Sequence, residues 1–559
     1  MRTLIRAGVR LDLWVAGLTV VAGLLSIILI LQVTYYPYSV HRSWIFHYFL
    51  REQDIAGSLL VIAVALGCAI ERGNAPLGVV EWLAERYWIA VAAALVAMVA
   101  AVFLVAKNHA LAGDEHLALF QSRVFAAGRL TGRFPPELLY RLIPSWYQWH
   151  WLIASETTGE VVSLYWPGFA LLLVPFQWLG MPWLCNPLLA ALSVILMAKL
   201  AARLSDDRRA AGWAVLLALG SPGLMGMALS YFSMTAHLFL NLLYVWLLLQ
   251  RTPHRLAAAG LVGSFALVQS NPVPHLLFAL PWIVSVARSP LGRRNLAVLL
   301  AGYAPLTLVL GLGWWLFLRH LQGSVPMALY PADSDLTHRI GNLIWYLFLE
   351  FRNVFGASDA ALINRLLEQA RLWSWAVPGL VILALAGWWL ARDVREARLL
   401  GYSLVTTVLG YLPVVFDQGS GWGARYVHPA WGAIPVLAAL ALVRIGHSDG
   451  ERLAAFTARA GVYSLVFANA LRLLQIHLFM EDQLSLRPPF EKGVRQIVFI
   501  VPNPGEYAQD FLQNDPFLRD PVIFMMSRGR AADATLITQR YPGARLTYDG
   551  SNGQVWRLE

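Results

Sequence analysis

Long apolar runs, not short alternations, organise this chain. A helix that crosses a bilayer needs about 20 mostly apolar residues. Runs of this kind fall at roughly 12–34, 56–71, 88–106, 187–202, 212–228, 235–250, 256–271, 274–287, 296–318, 374–391, 399–416, 427–443 and 460–479. One more run, 165–184, is interrupted by Pro167, Pro175 and Pro182, and reads as a span, a broken helix or an interfacial helix. Between the runs lie two long polar stretches, 107–166 and 319–373, and a polar tail, 480–559. The tail alternates in strand fashion at 494–501 and 521–526, with turns at Pro502, Pro504, Gly543 and Gly550, which predicts a small α/β cap. The expected architecture is an all-α polytopic membrane protein of about 13 transmembrane helices. Its membrane part is 1–479, with outer-face amphipathic helices, followed by the cap 480–559.

Charge gives the sides. Arg2, Arg6 and Arg10 precede the first run, and further clusters stand at Arg203–Arg209, Arg251–Arg255, Arg288–Arg294, Arg392–Arg398 and Arg444–Arg459. All fall on one side if 165–184 does not cross, and the short opposite loops 229–234 and 269–275 carry no Lys or Arg. Positive residues gather on the cytoplasmic side. The expectation is therefore a cytoplasmic N-terminus, an outer C-terminus and a bacterial inner membrane. Composition agrees: 58% of residues are hydrophobic and 14% charged, against about 25% charged in soluble domains. The net charge of +10 is spread over loops, which points to that bias and not to nucleic acid. The only cysteines, Cys68 and Cys185, lie in apolar runs, so no disulfide framework is expected.

Candidate chemistry collects in the first outer stretch. Residues 113–130, GDEHLALFQSRVFAAGRL, place Leu117, Phe120, Val124 and Leu130 at helical spacing behind Asp114 and Glu115. Adjacent carboxylates at a helix start either offset its dipole or supply a general base. Next come FPPELLYRL (134–142), WYQWHW (146–151) and SLYWPGFALLLVPFQWLG (163–180). Trp146, Trp149, Trp151 and Trp166 form an aromatic group suited to an interfacial belt, to packing, or to a sugar or isoprenoid.

An acidic pair, an amphipathic helix and a Y-x-P-x-x-x-L-L-x-x-P-F-x-x-x-G run from Tyr165 to Gly180 together resemble the GT-C membrane glycosyltransferases. Within them the chain is most similar to the protein O-mannosyltransferases and lipid A aminoarabinose transferases. The likeness covers about 105–285 and extends loosely to GSGWGARYVHPAW at 419–431. Here the pair follows the third run, where most relatives carry it after the first; an odd count keeps it outside. The resemblance implies transfer of a sugar, hexosyl or pentosyl, from a polyprenyl-phosphate carrier to a lipid, glycan or protein at the outer face. It assigns the base, or a group supporting it, to Asp114, with Glu115 beside it. An Arg-over-Lys, Ala/Leu-rich composition favours a bacterial undecaprenyl carrier.

The chemistry asks for the same groups. A carboxylate must take the acceptor proton, and a cation must meet charge building on the departing phosphate. Arg425, in the glycine-rich segment GWGARY, suits that role or caps a span end; His428 and Arg352 are further candidates for the donor phosphate. Tyr165, Trp166, Asp333, Asp335, His338 and Arg339 are candidates for acceptor binding or a lid, the last four alternatively belonging to an ordinary solvated loop. His109, Asp114 and His116 are the only weak candidates for a divalent metal, without a zinc-type spacing. No phosphate-cradling glycine loop is present. The competing reading is a transporter or flippase of a lipid-linked sugar, for which mid-membrane charge is expected; here Arg472 is the main such residue.

Overall fold

A computed structural model describes residues 10–35, 44–71, 73, 75–144, 147, 151–250, 252–323, 359–445, 447–502 and 510–559. The chain is mostly helical. Among the described residues six helices are long and apolar enough to cross a membrane: Leu11–Thr34, Ile45–Ile70, Leu77–Leu104, Pro182–Ser205, Gly292–Leu321 and Gly450–Ser485. At about 1.5 Å per residue, their 24 or more residues exceed the ~30 Å of hydrocarbon. Arg209–Leu219 and Pro222–Ala228 form a seventh if taken as one span bent by 64°. The bend falls at Ser221–Pro222, where proline removes a backbone donor.

Five further apolar helices are shorter: Gly168–Trp178, Met234–Leu248, Val273–Ala287, Leu380–Leu390 and His428–Arg444. The run at 165–184 thus becomes an 11-residue helix, Gly168–Trp178, followed by a tight turn at Pro182–Leu184. At roughly 16 Å it is too short to cross by itself. Several runs lie inside longer helices, while glycine and proline cut others short, as at 212–228 and 374–391. Gly379, for example, adopts φ +82° and sets the start of Leu380–Leu390.

Ala433–Arg444 is apolar all round, and it lies at the centre, buried from Ala433 to Leu442. Gly387 lets its helix lie directly against backbone at Leu437. Leu11–Tyr35, by contrast, exposes Leu18, Leu25, Ile28 and Leu31, a face suited to lipid.

Outside the bundle stand two small sheets. In the first, β1 (Gly132–Arg133), β3 (Glu160–Ser163) and β2 (Leu152–Ala154) run antiparallel in that order. The tail forms the second, ordered β5-β4-β7-β6: β4 (Gln496–Ile500) pairs parallel with β5 (Val522–Met526) and antiparallel with β7 (Gly553–Arg557), which pairs with β6 (Arg545–Gly550). Helix Arg530–Arg540 joins β5 to β6. The alternation at 494–501 and 521–526 therefore marks real strands.

This tail does not stand apart from the first outer stretch. Leu117, Phe120, Phe134 and Leu138 share one apolar cluster with Ile497, Phe499, Met525 and Ile537. Arg141–Asp533 and Arg540–Glu137, each 2.5 Å, add ion pairs across the same boundary.

Candidate functional site

Helix Gly113–Ala126 begins after Ala112, whose backbone is extended. Its first turn leaves N–H groups without helical partners. One is met from the tail: Gly113 N–H donates to Asp510 Oδ1 at 2.9 Å. Gly113 has no room for a side chain, because a Cβ there would run into the Tyr147 ring.

Successive residues on a helix point about 100° apart, and this separates the two carboxylates. Glu115 turns inward, 2% exposed, and accepts the Tyr231 backbone N–H at 2.6 Å. It does not line the cleft described below. Burial pushes its carboxyl up to about 7, against the opposing pull of the Tyr231 N–H and Arg425. Asp114 faces the cleft. Its Oδ2 pairs with Arg425 Nη2 at 2.5 Å and its Oδ1 accepts the Tyr165 hydroxyl at 2.6 Å. Burial, then the Asp114 charge, holds the Tyr165 phenol well above its ordinary range.

Arg425 reaches Asp114 across 311 residues of sequence. Its segment turns tightly through Gly419, Gly421 and Gly423, all at positive φ (+61°, +122°, +76°), a region that side chains disfavour. Arg425 Nη1 donates to the carbonyls of Gln418 (3.1 Å) and Ser420 (3.3 Å), and its guanidinium lies 3.9 Å from the Phe232 ring centroid. Its Nε is buried without a hydrogen-bond partner.

Asp114, Arg425, Tyr165 and Trp166 open onto a cleft of about 530 Å³, with Phe169, Tyr231 and Phe232 as aromatic walls. Ser233, Gln269, Ser270 and Asn271 supply neutral polar groups. Gln269 is fully buried, and its Oε1 has no partner. These four residues come from the loops 229–234 and 269–275, in which the sequence had marked only the absence of Lys and Arg.

The remaining candidates divide. His428 is 4% exposed, stacks 6.2 Å from Trp431 and does not line the cleft. His109, Asp114 and His116 do not converge: among the described residues no three His, Cys, Asp or Glu side chains gather in a metal-holding group. His116 instead points into the core against Phe120, and burial lowers it to about 3. Arg352, Asp333, Asp335, His338, Arg339, Trp146 and Trp149 lie outside the described residues. Arg472 is buried and paired with Asp54, a carboxylate it shares with Arg371. The polar row Asn364, Arg365, Glu368 and Arg371, packed behind the Arg425 segment, was missed. Its i, i+1, i+4, i+7 spacing on a helix was the available signal.

No family model and no curated protein matches the chain. Among solved structures, ArnT from Cupriavidus metallidurans in the apo state is similar at 13% identity and a TM-score of 0.50, over 85% of this chain and 98% of that one. ArnT from the same organism bound to undecaprenyl phosphate is similar at 14% identity and a TM-score of 0.49, over 84% and 98%. At such identity the likeness is one of fold. The fold this chain shares is that of ArnT, a lipid A aminoarabinose transferase, the group that the acidic pair and the Tyr165–Gly180 run resemble.

Proposed function

We propose that this protein is a GT-C-type glycosyltransferase that moves a sugar from a polyprenyl-phosphate carrier to a hydroxyl of a lipid, glycan or protein at the outer face of a bacterial inner membrane. The observation that carries this reading is the Asp114–Arg425 pair, 2.5 Å apart in one cleft. One carboxylate and one guanidinium together at a membrane-bundle surface are the two charges an inverting transfer needs.

In the free protein the Asp114 carboxylate is occupied by Arg425 and the Tyr165 hydroxyl. In the proposed reaction the donor phosphate takes over the Arg425 fork, which binds phosphate oxygens as readily as carboxylate. Asp114, relieved of that partner, accepts the proton of the acceptor hydroxyl as its oxygen attacks C1 of the sugar. The C1–O bond to phosphate breaks, and its electron pair leaves on the phosphate beside Arg425. Tyr165 orients Asp114 through its hydroxyl, and Trp166 offers an aromatic face to the sugar ring. Glu115 holds the Tyr231 loop in place rather than sharing the proton transfer.

Binding of undecaprenyl phosphate in lipid nanodiscs, together with sugar transfer, tests the reading. Asp114→Asn should still bind the carrier while transfer falls at least ~10²-fold, the scale of a lost general base. Arg425→Lys should weaken carrier binding about tenfold or more, because a point charge replaces a bidentate fork. Transfer by Asp114→Asn at the wild-type rate, or carrier binding indifferent to Arg425, sinks it.

A further inference from the structure

The segment carrying Arg425 is held from behind by one face of helix Asp359–Ser374. Asn364 Nδ2 donates to the Val415 carbonyl at 3.0 Å. Arg365 donates to the Phe416 carbonyl, and its guanidinium lies 4.7 Å from the ring centroid of Tyr426, the residue after Arg425. Glu368 accepts the Tyr426 backbone N–H at 2.9 Å and the Arg365 guanidinium at 2.9 Å. Arg371 Nη2 donates to the Gly421 carbonyl at 3.1 Å. Four side chains along one helix face thus fasten both arms of a single loop, and all four are nearly or wholly buried.

Behind Arg371 stands Asp54, fully buried at the end of a π-helical turn, Phe49–Asp54. Its carboxylate pairs with Arg371 Nε at 2.9 Å and Arg472 Nη1 at 3.2 Å, and accepts the Trp375 indole N–H at 2.6 Å. Asp54 lies between the first two apolar runs, N-terminal to the sequence resemblance at about 105–285. Buried ion pairs of this kind contribute little net stability compared with apolar packing, because desolvation offsets their attraction. What they do supply is fixed geometry, and here that geometry is the path of the loop bearing Arg425.

We propose that Asn364, Arg365, Glu368 and Arg371, with Asp54 behind them, are positioning residues that hold Arg425 at the donor phosphate. The N-terminal helices thereby act as a buttress for the phosphate-binding loop. This rests on the reading of Arg425 given above. None of the five residues lines the cleft, so they act through the loop and not on the substrate.

Two measurements on the intact protein in nanodiscs test it: amide hydrogen exchange of 415–427, and titration with undecaprenyl phosphate. Arg371→Lys keeps a positive charge opposite Asp54 but cannot also reach the Gly421 carbonyl; Glu368→Ala frees the Tyr426 N–H. Both should raise exchange across 415–427 and weaken carrier binding about tenfold, the scale of a lost charge-assisted hydrogen bond. Leu299→Ala serves as the control, since Leu299 is fully buried on helix Gly292–Leu306, which packs on Pro253–Leu267 and away from the loop. It should lower the melting temperature and leave both readouts unchanged. Wild-type exchange over 415–427 in Arg371→Lys and Glu368→Ala overturns the proposal. So does equal weakening by Leu299→Ala, which makes the network merely structural. If the wild-type protein does not bind the carrier at all, the functional reading fails instead, and exchange still decides whether the helix holds the loop.

Discussion

Asp114 and Glu115 are neighbours in sequence with opposite surroundings. Asp114 meets Arg425 and Tyr165 at the cleft, and Glu115 is shut away against the Tyr231 backbone. That split makes a pH prediction. Burial raises the Glu115 carboxyl from 4.5 to about 7, so between those values the folded protein binds more protons than the unfolded chain. By linkage, stability then falls as pH rises. The Glu115 contribution is full below 4.5, declines as pH approaches about 7, and is flat above it. Glu115→Gln carries the protonated side chain's neutrality at every pH. The melting temperature of the wild type relative to Glu115→Gln should therefore drop between about pH 4.5 and pH 7. A constant difference across that range would show that Glu115 does not titrate there. The carboxylate pair and Arg425 were legible in the sequence. Their division of labour was not, because it depends on which way a helix faces when it packs.

Helix Gly113–Ala126 joins two bodies of the fold. One face meets the bundle and cleft, and the other packs through Leu117, Phe120 and Val124 against β4, β5 and helix Arg530–Arg540. Asp510 of the tail caps its first turn. The amphipathic pattern showed that this helix has a buried face; the polar tail, read as a separate cap, gave no hint that it supplies the cover. Phe120 is 2% exposed in that shared cluster. Phe120→Ala should cost about 3–5 kcal/mol of stability. It should also raise hydrogen exchange in β4 and β5 as well as in 113–126, since one cluster spans all three. Protection lost in the helix alone would show that the sheet does not depend on it.

At the scale of the molecule, six described helices are long enough to cross a membrane singly, and the arginine clusters imply sides. The odd number of crossings expected from the apolar runs predicts that the cleft and the tail lie outside. With Cys68 and Cys185 replaced, Thr538→Cys on exposed helix Arg530–Arg540 should react with a membrane-impermeant maleimide in intact cells. Arg208→Cys, in an exposed arginine-rich turn, should react only after permeabilisation. The reverse pattern would put the cleft on the cytoplasmic side and remove the lipid-linked donor as its ligand.

From sequence alone came the membrane class, the helical character, the strands of the tail, and the choice of Asp114, Tyr165, Trp166 and Arg425. Each of these follows from local composition, periodicity or a short motif. Tertiary structure alone decided that Asp114 and Arg425 pair. It also decided that Glu115, His116 and His428 turn away from the cleft, that loops 229–234 and 269–275 line it, and that Asn364 to Arg371 and Asp54 brace it. These are relations between segments hundreds of residues apart, or of side-chain direction. They are set by how helices broken at glycine and proline pack together, and no local pattern records them.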